Sequence, residues 1–247
     1  MNEQDWDQVA VSFEEEIFNV PANDHKGLIR EHVERLASPV ATATDLGCGV
    51  GRTLPMLSDL FGKVYAVDVS SHCLATAAEA CHDRANIDYV HADLSKDRNS
   101  YPATDLVLCI NTWLNADLEI RESLIDRTCR SVKRGGHLLL VVPSLNSALL
   151  TAYRRLQWNL RVGLSPQEAQ RDAALKGRDL AHGIVHIDGV PTKHYLPEEL
   201  EASLDQRGLT VEVTEKIEYP WTTEFTAPPR WMKAPFPWDW FVVARRR

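Results

Sequence analysis

A glycine-rich segment behind a single acid carries the clearest chemical signal in this sequence. The segment runs from Asp45 to Gly51 (DLGCGVG) and follows a short apolar run. Glycines in such a turn allow positive φ angles and let the backbone approach a ligand closely. A second acid, Asp68, ends the next apolar run, 63–68. A glycine turn after one strand and an acid at the end of the next are typical of a nucleotide-binding α/β sheet.

The glycine spacing limits which nucleotide the turn can hold. A dinucleotide-binding turn has the spacing G-x-G-x-x-G, whose third glycine permits close packing beneath a pyrophosphate. Here the spacing is G-x-G-x-G, and Arg52 stands where that third glycine would be. Asp45, directly before the turn, would repel a pyrophosphate and attract a ligand with a cationic end. The pattern therefore favours a ligand that has an amino-acid end and no phosphates.

In these residues the chain resembles the class I S-adenosylmethionine (SAM)-dependent methyltransferases, whose first motif is D/E-x-G-x-G-x-G. Asp45, Gly47, Gly49 and Gly51 match every defined position of that motif. The resemblance implies that these residues, together with Cys48, bind SAM and that S-adenosylhomocysteine (SAH) is the product. It covers about 40–145 specifically and 193–244 loosely, whereas 1–37 and 145–192 lie outside its motifs.

The resemblance also assigns cofactor roles to residues after the next three strands. Asp68 would accept the ribose hydroxyls and Val69 would pack on the adenine; the alternative for Asp68 is a helix cap. Asp93 would receive the adenine amino group while Leu94 lines the ring; the alternative for Asp93 is a turn-forming acid. Asn111 matches the position whose backbone carbonyl contacts the methionine part of SAM.

Methyl transfer requires alignment of the nucleophile, exclusion of water and, for a protonated nucleophile, a base. Histidine is the usual base near neutral pH. His186 and His194, beside Tyr195, fall in the region expected to face the methyl group, so all three are candidate catalytic residues. For each histidine the alternative is a structural or surface role. No spacing of histidines and acids is typical of a metal site, and we expect no metal.

Aromatic residues close to an acid form the candidate substrate site. The segment 219–225 contains Trp221 and Glu224 and joins two predicted strands, where it could form a lid. Together with Trp113, these side chains could hold an apolar or cationic small molecule by packing and cation–π attraction. The alternative is that the aromatic residues of this C-terminal part only cover the edge of the sheet.

Alternating strand and helix patterns predict the scaffold that positions these residues. A doubly wound, mostly parallel sheet of about seven strands, with helices on both faces, is the expected α/β fold. Two helices over 5–37 would precede it, with Asp24 capping the second and Gly27 in its first turn. The segment 145–192 would form an insertion or cap, helical over 145–182 and a strand and turn over 183–190, and Pro197 would begin the next helix. A basic and glycine-rich stretch, 133–136, would end the helix 117–132. We expect one domain over 1–247, with its core at about 38–144 and 193–247.

Composition restricts the partners. The 247 residues carry a net charge of −8 and lack a basic face, so we expect no nucleic acid. The residues 111–115 also depart from the N/D-P-P-Y/F tetrapeptide of enzymes that methylate bases or glutamine amides. No apolar run approaches the ~20 residues that span a bilayer, no secretory signal is apparent, and the five cysteines contain no C-x-x-C pair. A cytoplasmic protein without a membrane partner is expected; the oligomeric state stays open.

Three functions remain. The first is transfer of a methyl group from SAM to an O or N atom of a small molecule. The second is a regulatory protein that binds SAM or SAH without turnover. The third is an NAD-dependent oxidoreductase, against which the glycine spacing and Asp45 both count.

Overall fold

The computed structural model describes residues 6–7, 17–96, 101–177, 179–187 and 189–247. Seven of its strands form one sheet: β1 (Thr42–Leu46), β2 (Lys63–Asp68), β3 (Ile87–His91), β4 (Thr104–Ile110), β5 (Val132–Pro143), β8 (Leu209–Glu218) and β9 (Trp238–Arg246). A separate hairpin consists of β6 (Ile184–Ile187) and β7 (Val190–Lys193). The helices are α1 (Val20–Asn23), α2 (Leu28–Leu36), α3 (Leu54–Leu60), α4 (Ser71–Ala80), α5 (Leu118–Ser131), α6 (Leu145–Arg161), α7 (Pro166–Ala173) and α8 (Pro197–Gln206).

The strand order of the large sheet is β3-β2-β1-β4-β5-β9-β8. The first five strands pair in parallel, and β9 is antiparallel to both β5 and β8. The chain moves outward from β1 through β2 to β3 and then returns to place β4 on the other side of β1. Loops after β1 and β4 therefore diverge and leave a crevice at the carboxyl ends of these strands, where open α/β sheets bind ligands. The predicted fold class is confirmed.

Two apolar layers enclose the sheet. On β4, Leu106 and Leu108 point to one layer while Val107 and Cys109 point to the other, and all four are buried. This is why the strand is almost wholly apolar. The first layer includes residues of α2, α3 and α4, and the second includes residues of α5 and α8.

The N-terminal region begins with a capped helix. Asp24 accepts a hydrogen bond from the backbone N–H of Ile29 in the first turn of α2 at 2.8 Å, but the N-cap residue is Gly27 and not Asp24 as predicted. Gly27 precedes α2 with a φ of +69° instead of lying inside its first turn. The helix predicted before it falls mostly outside the described residues.

The start of β5 differs from the sequence prediction. Helix α5 ends at Ser131, and Lys133 and Arg134 already belong to the strand. The pairing of β4 with β5 begins at Thr104 and Val132 and then shifts register, which absorbs the extra residues. The glycines of this stretch serve the strand start: a Cβ on Gly136 would lie 2.7 Å from the Asp105 carbonyl oxygen.

The segment after β5 forms a cap of two helices followed by the hairpin. A capping box between Ser165 and Glu168 begins α7. Thr192 bridges to Asn115 and Tyr195 bridges to Ser144, so the end of the hairpin lies beside the loops that follow β4 and β5. Among the described helices, none is long and apolar enough to cross a bilayer.

Candidate cofactor and acceptor site

The glycine turn lies at the carboxyl end of β1 and has the backbone that its sequence predicts. Gly47, Gly49 and Gly51 have φ angles of +71°, +52° and +84°. The N–H groups of Gly47 and Cys48 both donate to the Val67 carbonyl, at 2.8 and 3.1 Å. These bonds hold the turn against the end of β2.

Asp68 connects the turn to the next strand. Its two carboxylate oxygens accept hydrogen bonds from the N–H groups of Gly49 and Ser70, each at 2.8 Å. A carboxylate offers about four lone-pair sites, so these bonds leave acceptor capacity for a diol. Burial raises the pKa of Asp68, and the backbone donors oppose that shift. The cap of α4 is Ser70, which accepts from the Cys73 N–H at 3.1 Å.

Asp45 lies beneath the turn and is 3% exposed. Its carboxyl accepts a hydrogen bond from the Thr53 hydroxyl. Burial raises the pKa of Asp45 to about 7, and the nearby Asp68 adds to the shift. A cationic group at the turn would stabilise the ionised form of Asp45, because opposite charges favour ionisation.

The residues predicted to surround the adenine follow β2 and β3. Asp93 accepts from the Ser95 N–H at 2.9 Å and pairs with Lys96 at 2.8 Å, so it forms a turn as its alternative role required. Burial alone would raise the pKa of Asp93, but hydrogen bonds from Lys96 and Ser95 lower it overall. Leu94 is buried and Val69 is half-buried.

Asn111 and Thr112, at the end of β4, face the turn from its other side. The Thr112 hydroxyl donates to the Leu46 carbonyl at 2.9 Å and lies where a Cβ on Gly47 would stand. Asn111 has a φ of +49°, a conformation that few residues other than glycine adopt. Its side-chain Oδ1 is buried without a hydrogen-bond partner among the described residues.

A group of acids beside Asn111 was missed by the sequence reasoning. The Tyr219 hydroxyl donates to Asp239 Oδ2 at 2.9 Å, and the Asn111 amide interacts with the same carboxyl. Burial raises the pKa of Asp239 to about 6. The Glu224 side chain reaches solvent. The protein atoms that surround its carboxyl nevertheless raise its pKa, and the charge of Asp239 adds to this shift, as expected for a carboxyl in the wall of a cleft. We name Asn111, Tyr219, Glu224 and Asp239 the acid group.

A signal for Asp239 was present in the sequence. It stands between two tryptophans at the start of an otherwise apolar strand, and buried acids are rare unless they have a partner or a function. The tryptophans on either side of it, Trp238 and Trp240, are both buried.

An N-terminal segment links the turn to the acid group. The Arg52 guanidinium donates to the Ile17 carbonyl at 3.1 Å. The next residue, Phe18, packs edge-on against the Tyr219 ring, with 4.8 Å between ring centroids. Arg52 stands where a dinucleotide-binding turn would have its third glycine. It therefore holds the N-terminal segment that reaches the acid group.

Two predicted site residues are part of the core. Trp113 has no exposed surface, and its Nε1 donates to the Thr128 hydroxyl on α5 at 3.0 Å. Tyr195 is 2% exposed, and its hydroxyl donates to the Trp113 carbonyl at 2.8 Å. Both rings pack in the second layer, whereas Tyr219 packs in the first. In this structure neither ring lines the crevice.

The remaining candidates are dispersed. His194 is 6% exposed; its Nδ1 lies 3.0 Å from the Thr192 carbonyl and must carry the proton, because a carbonyl only accepts. Burial lowers the pKa of His194. His186 is half-buried on β6. Trp221 stacks on Phe225 in a small cluster that also contains residues of α6. Of the predicted acceptor-side residues, the structure brings only Glu224 to the acid group.

Within the ranges described, no group of three or more histidine, cysteine or acidic side chains is arranged to hold a metal ion.

Comparison with known proteins supports the family. Residues 43–136, which contain the glycine turn, match the family model described as methyltransferase domain. No curated protein matches the sequence significantly. The turn and the strand order resemble those of class I SAM-dependent methyltransferases, and residues 43–136 form the part that matches a methyltransferase domain.

Solved structures share the fold at low sequence identity. The N-methyltransferase NodS from Bradyrhizobium japonicum WM9, in complex with SAH, has a TM-score of 0.63 at 12% identity, covering 99% of this chain and 97% of its own. The DhpI–SAH complex has a TM-score of 0.60 at 16% identity, covering 99% and 95%. A putative methyltransferase bound to the Haloferax volcanii Trm112 activator has a TM-score of 0.57 at 17% identity, covering 98% and 97%.

Proposed function

We propose that this protein transfers a methyl group from SAM to an O or N atom of a small molecule and releases SAH. The observation that carries the proposal is the bond between the Gly49 N–H and Asp68. It places a turn of positive-φ glycines and a buried carboxylate together at the crevice where the strand order reverses. The backbone N–H groups of the turn and a carboxylate that can accept two hydroxyls lie at the same edge of the sheet. This combination suits a nucleoside whose other end is an amino acid.

Each part of the cofactor has a candidate partner. Asp68 would accept the ribose hydroxyls, while Val69, Asp93 and Leu94 would surround the adenine. Gly47, Cys48, Gly49, Gly51 and Asn111 would contact the amino-acid end, and Asp45 beneath them would balance its positive charge. SAM supplies an activated methyl carbon, so the protein has to align the acceptor in line with the sulfonium and exclude water.

Several observations support a small acceptor and a single domain. In the acid group Asn111, which follows β4, interacts with Asp239, and the segment 17–18 connects Arg52 of the turn to Tyr219. A net charge of −8 disfavours a nucleic acid. All five cysteines are free, which suits a reducing cytoplasm. We propose one domain, with the sheet as its core and the α6–α7 segment and the hairpin as its cap.

Binding and turnover test the proposal separately. Thermal shift measurements with SAM, SAH and NAD distinguish a methyltransferase site from a dinucleotide site, and we expect stabilisation by SAM and SAH only. Incubation with methyl-labelled SAM and extracts of small metabolites should then yield a labelled product. Stabilisation by SAH without any labelled product would favour the regulatory alternative, and stabilisation by NAD alone would refute the proposal.

A further inference from the structure

The acid group concentrates negative charge around one tyrosine hydroxyl. Asp239 accepts a hydrogen bond from the Tyr219 hydroxyl, Glu224 interacts electrostatically with Asp239, and Asp24 interacts electrostatically with Tyr219 from the N-terminal region. Neither Asp239 nor Glu224 forms an ion pair with a described residue. Lys26, two residues after Asp24, is bound to Glu218 at 2.7 Å. Among the described residues, no ion pair therefore balances the charge of Asp239 or Glu224, and a cationic ligand could do so.

Unused acceptors point to the same kind of ligand. Oδ1 of Asn111 and Oδ1 of Asp24 are buried and lack a donor among the described residues. A buried acceptor without a donor destabilises the unliganded protein. A group that carries several N–H donors and a positive charge could donate to the Asn111 oxygen and balance the charge of Asp239. An alcohol or phenol offers one donor and no charge.

The acid group also lies next to the expected position of the cofactor, where a methyl acceptor has to bind. Asn111 directly precedes Thr112, whose hydroxyl covers Gly47 of the cofactor turn. From Asn111 the contacts continue to Asp239 and then to Tyr219. A molecule bound at Asp239 would therefore lie close to the expected position of the methionine part of SAM, because only Asn111 separates the two.

We propose that the methyl acceptor is a small amine, bound in its ammonium form by Asp239, Glu224 and the amide oxygen of Asn111, with Asp239 acting as the base. This inference rests on the proposed function and specifies its acceptor. The carboxylate of Asp239 takes one proton from the ammonium. The freed nitrogen lone pair forms the new N–C bond, and the S–C bond breaks with its electron pair moving to sulfur. Asp239 then releases the proton to solvent, so that an ammonium and SAM yield a methylated ammonium, SAH and one proton.

Matched pairs of ligands test this inference. The SAH-saturated protein is titrated at pH 8 with phenethylamine and phenethyl alcohol, butylamine and butanol, and ethanolamine and ethylene glycol. For at least one pair we expect the amine to bind roughly tenfold more tightly or better, the scale of one charge-assisted contact. Asp239→Asn should abolish that preference and Glu224→Gln should weaken it. Glu215→Gln, which removes a negative charge from exposed β8, should leave it unchanged.

The variants also separate acceptor binding from cofactor binding. With the amine acceptor found by methyl labelling, Asp239→Asn should lower kcat by roughly 10²–10⁴-fold at an unchanged Kd for SAM. A wild-type protein that binds SAH but prefers no amine, or a preference that survives Asp239→Asn, would overturn this inference alone. A weakened Kd for SAM in Asp239→Asn would show instead that the acids hold the cofactor. Failure of the wild type to bind SAH would overturn the proposed function as well.

Discussion

At the scale of single residues, the site depends on carboxylates whose surroundings differ. Asp45 accepts a hydrogen bond from the Thr53 hydroxyl below the turn, whereas Asp68 accepts hydrogen bonds from two backbone N–H groups. Motif spacing predicted both positions, because the resemblance fixes acids around a glycine turn. It could not predict Asp239, whose importance arises only when Tyr219 and Asn111 are folded against it.

The role of Asp68 can be measured directly. Asp68→Ala removes the expected acceptor of the ribose hydroxyls and also releases Gly49. Losing a charge-assisted hydrogen bond costs on the order of 1.5–3 kcal/mol, so SAM affinity should fall roughly tenfold to a hundredfold. Calorimetry checks this, with Asp88→Ala on the neighbouring β3 as the control. Native SAM affinity in a folded Asp68→Ala protein would contradict the assignment.

Asp45 should make the stability of the unliganded protein depend on pH. Its folded-state pKa of about 7 exceeds the ordinary value of 3.8. Between these values the folded state keeps a proton that the unfolded state has lost, so stability falls as pH rises through this window. Asp45→Asn has no such loss. Between pH 4 and 8, the free energy of unfolding of this variant should therefore rise relative to that of the wild type by up to ~4 kcal/mol.

Asp105 provides the matched control for that measurement. Burial raises the pKa of Asp105, but the Thr42 N–H and Lys133 lower it overall. Its stabilising effect is therefore fully present above the ordinary pKa and is lost only as pH falls below it. Asp105→Asn should be less stable than the wild type by a constant amount from pH 5 to 8. A stability difference for Asp45→Asn that stays equally flat would show that Asp45 is ionised in the folded protein.

At the scale of elements, the sequence predicted types and order better than ends. The alternation of strand and helix patterns predicted the seven-stranded sheet, and Pro197 lies at the first position of α8. The start of β5 was misplaced because a basic and glycine-rich stretch is equally typical of a helix end and of a strand that begins with a register shift. The hairpin was interpreted as a strand and turn, since its pairing depends on Thr192 reaching Asn115.

The glycine turn allows a test at this scale. Gly47→Ala places a Cβ 2.4 Å from the Thr112 hydroxyl at a φ of +71°. Gly135→Ala has a similar φ of +79° with nothing within 4 Å, so it measures the backbone strain alone, ~1–2 kcal/mol. Gly47→Ala should lower the free energy of unfolding by more than Gly135→Ala does. Adding Thr112→Ala should recover part of the difference; equal losses at both glycines would refute the contact.

At the scale of the whole molecule, the strand order creates the site. Inserting β9 between β5 and β8 brings Asp239 beside Pro143 at the carboxyl edge, and Tyr219 follows at the end of β8. The glycine turn and the acid group are far apart in sequence and meet only through this topology. Short motifs therefore point to the residues proposed to bind the cofactor, whereas most of the residues proposed to bind the acceptor come together only in three dimensions.

Calorimetric titration of the purified protein with SAH and with NAD tests the central claim most directly. We predict one SAH bound per chain and no heat from NAD. Gly49→Val should abolish SAH binding, since a β-branched side chain opposes the φ of +52° at that position. Thermal melting would confirm that this variant folds. Binding of NAD in place of SAH, or native SAH affinity in a folded Gly49→Val protein, would contradict the account.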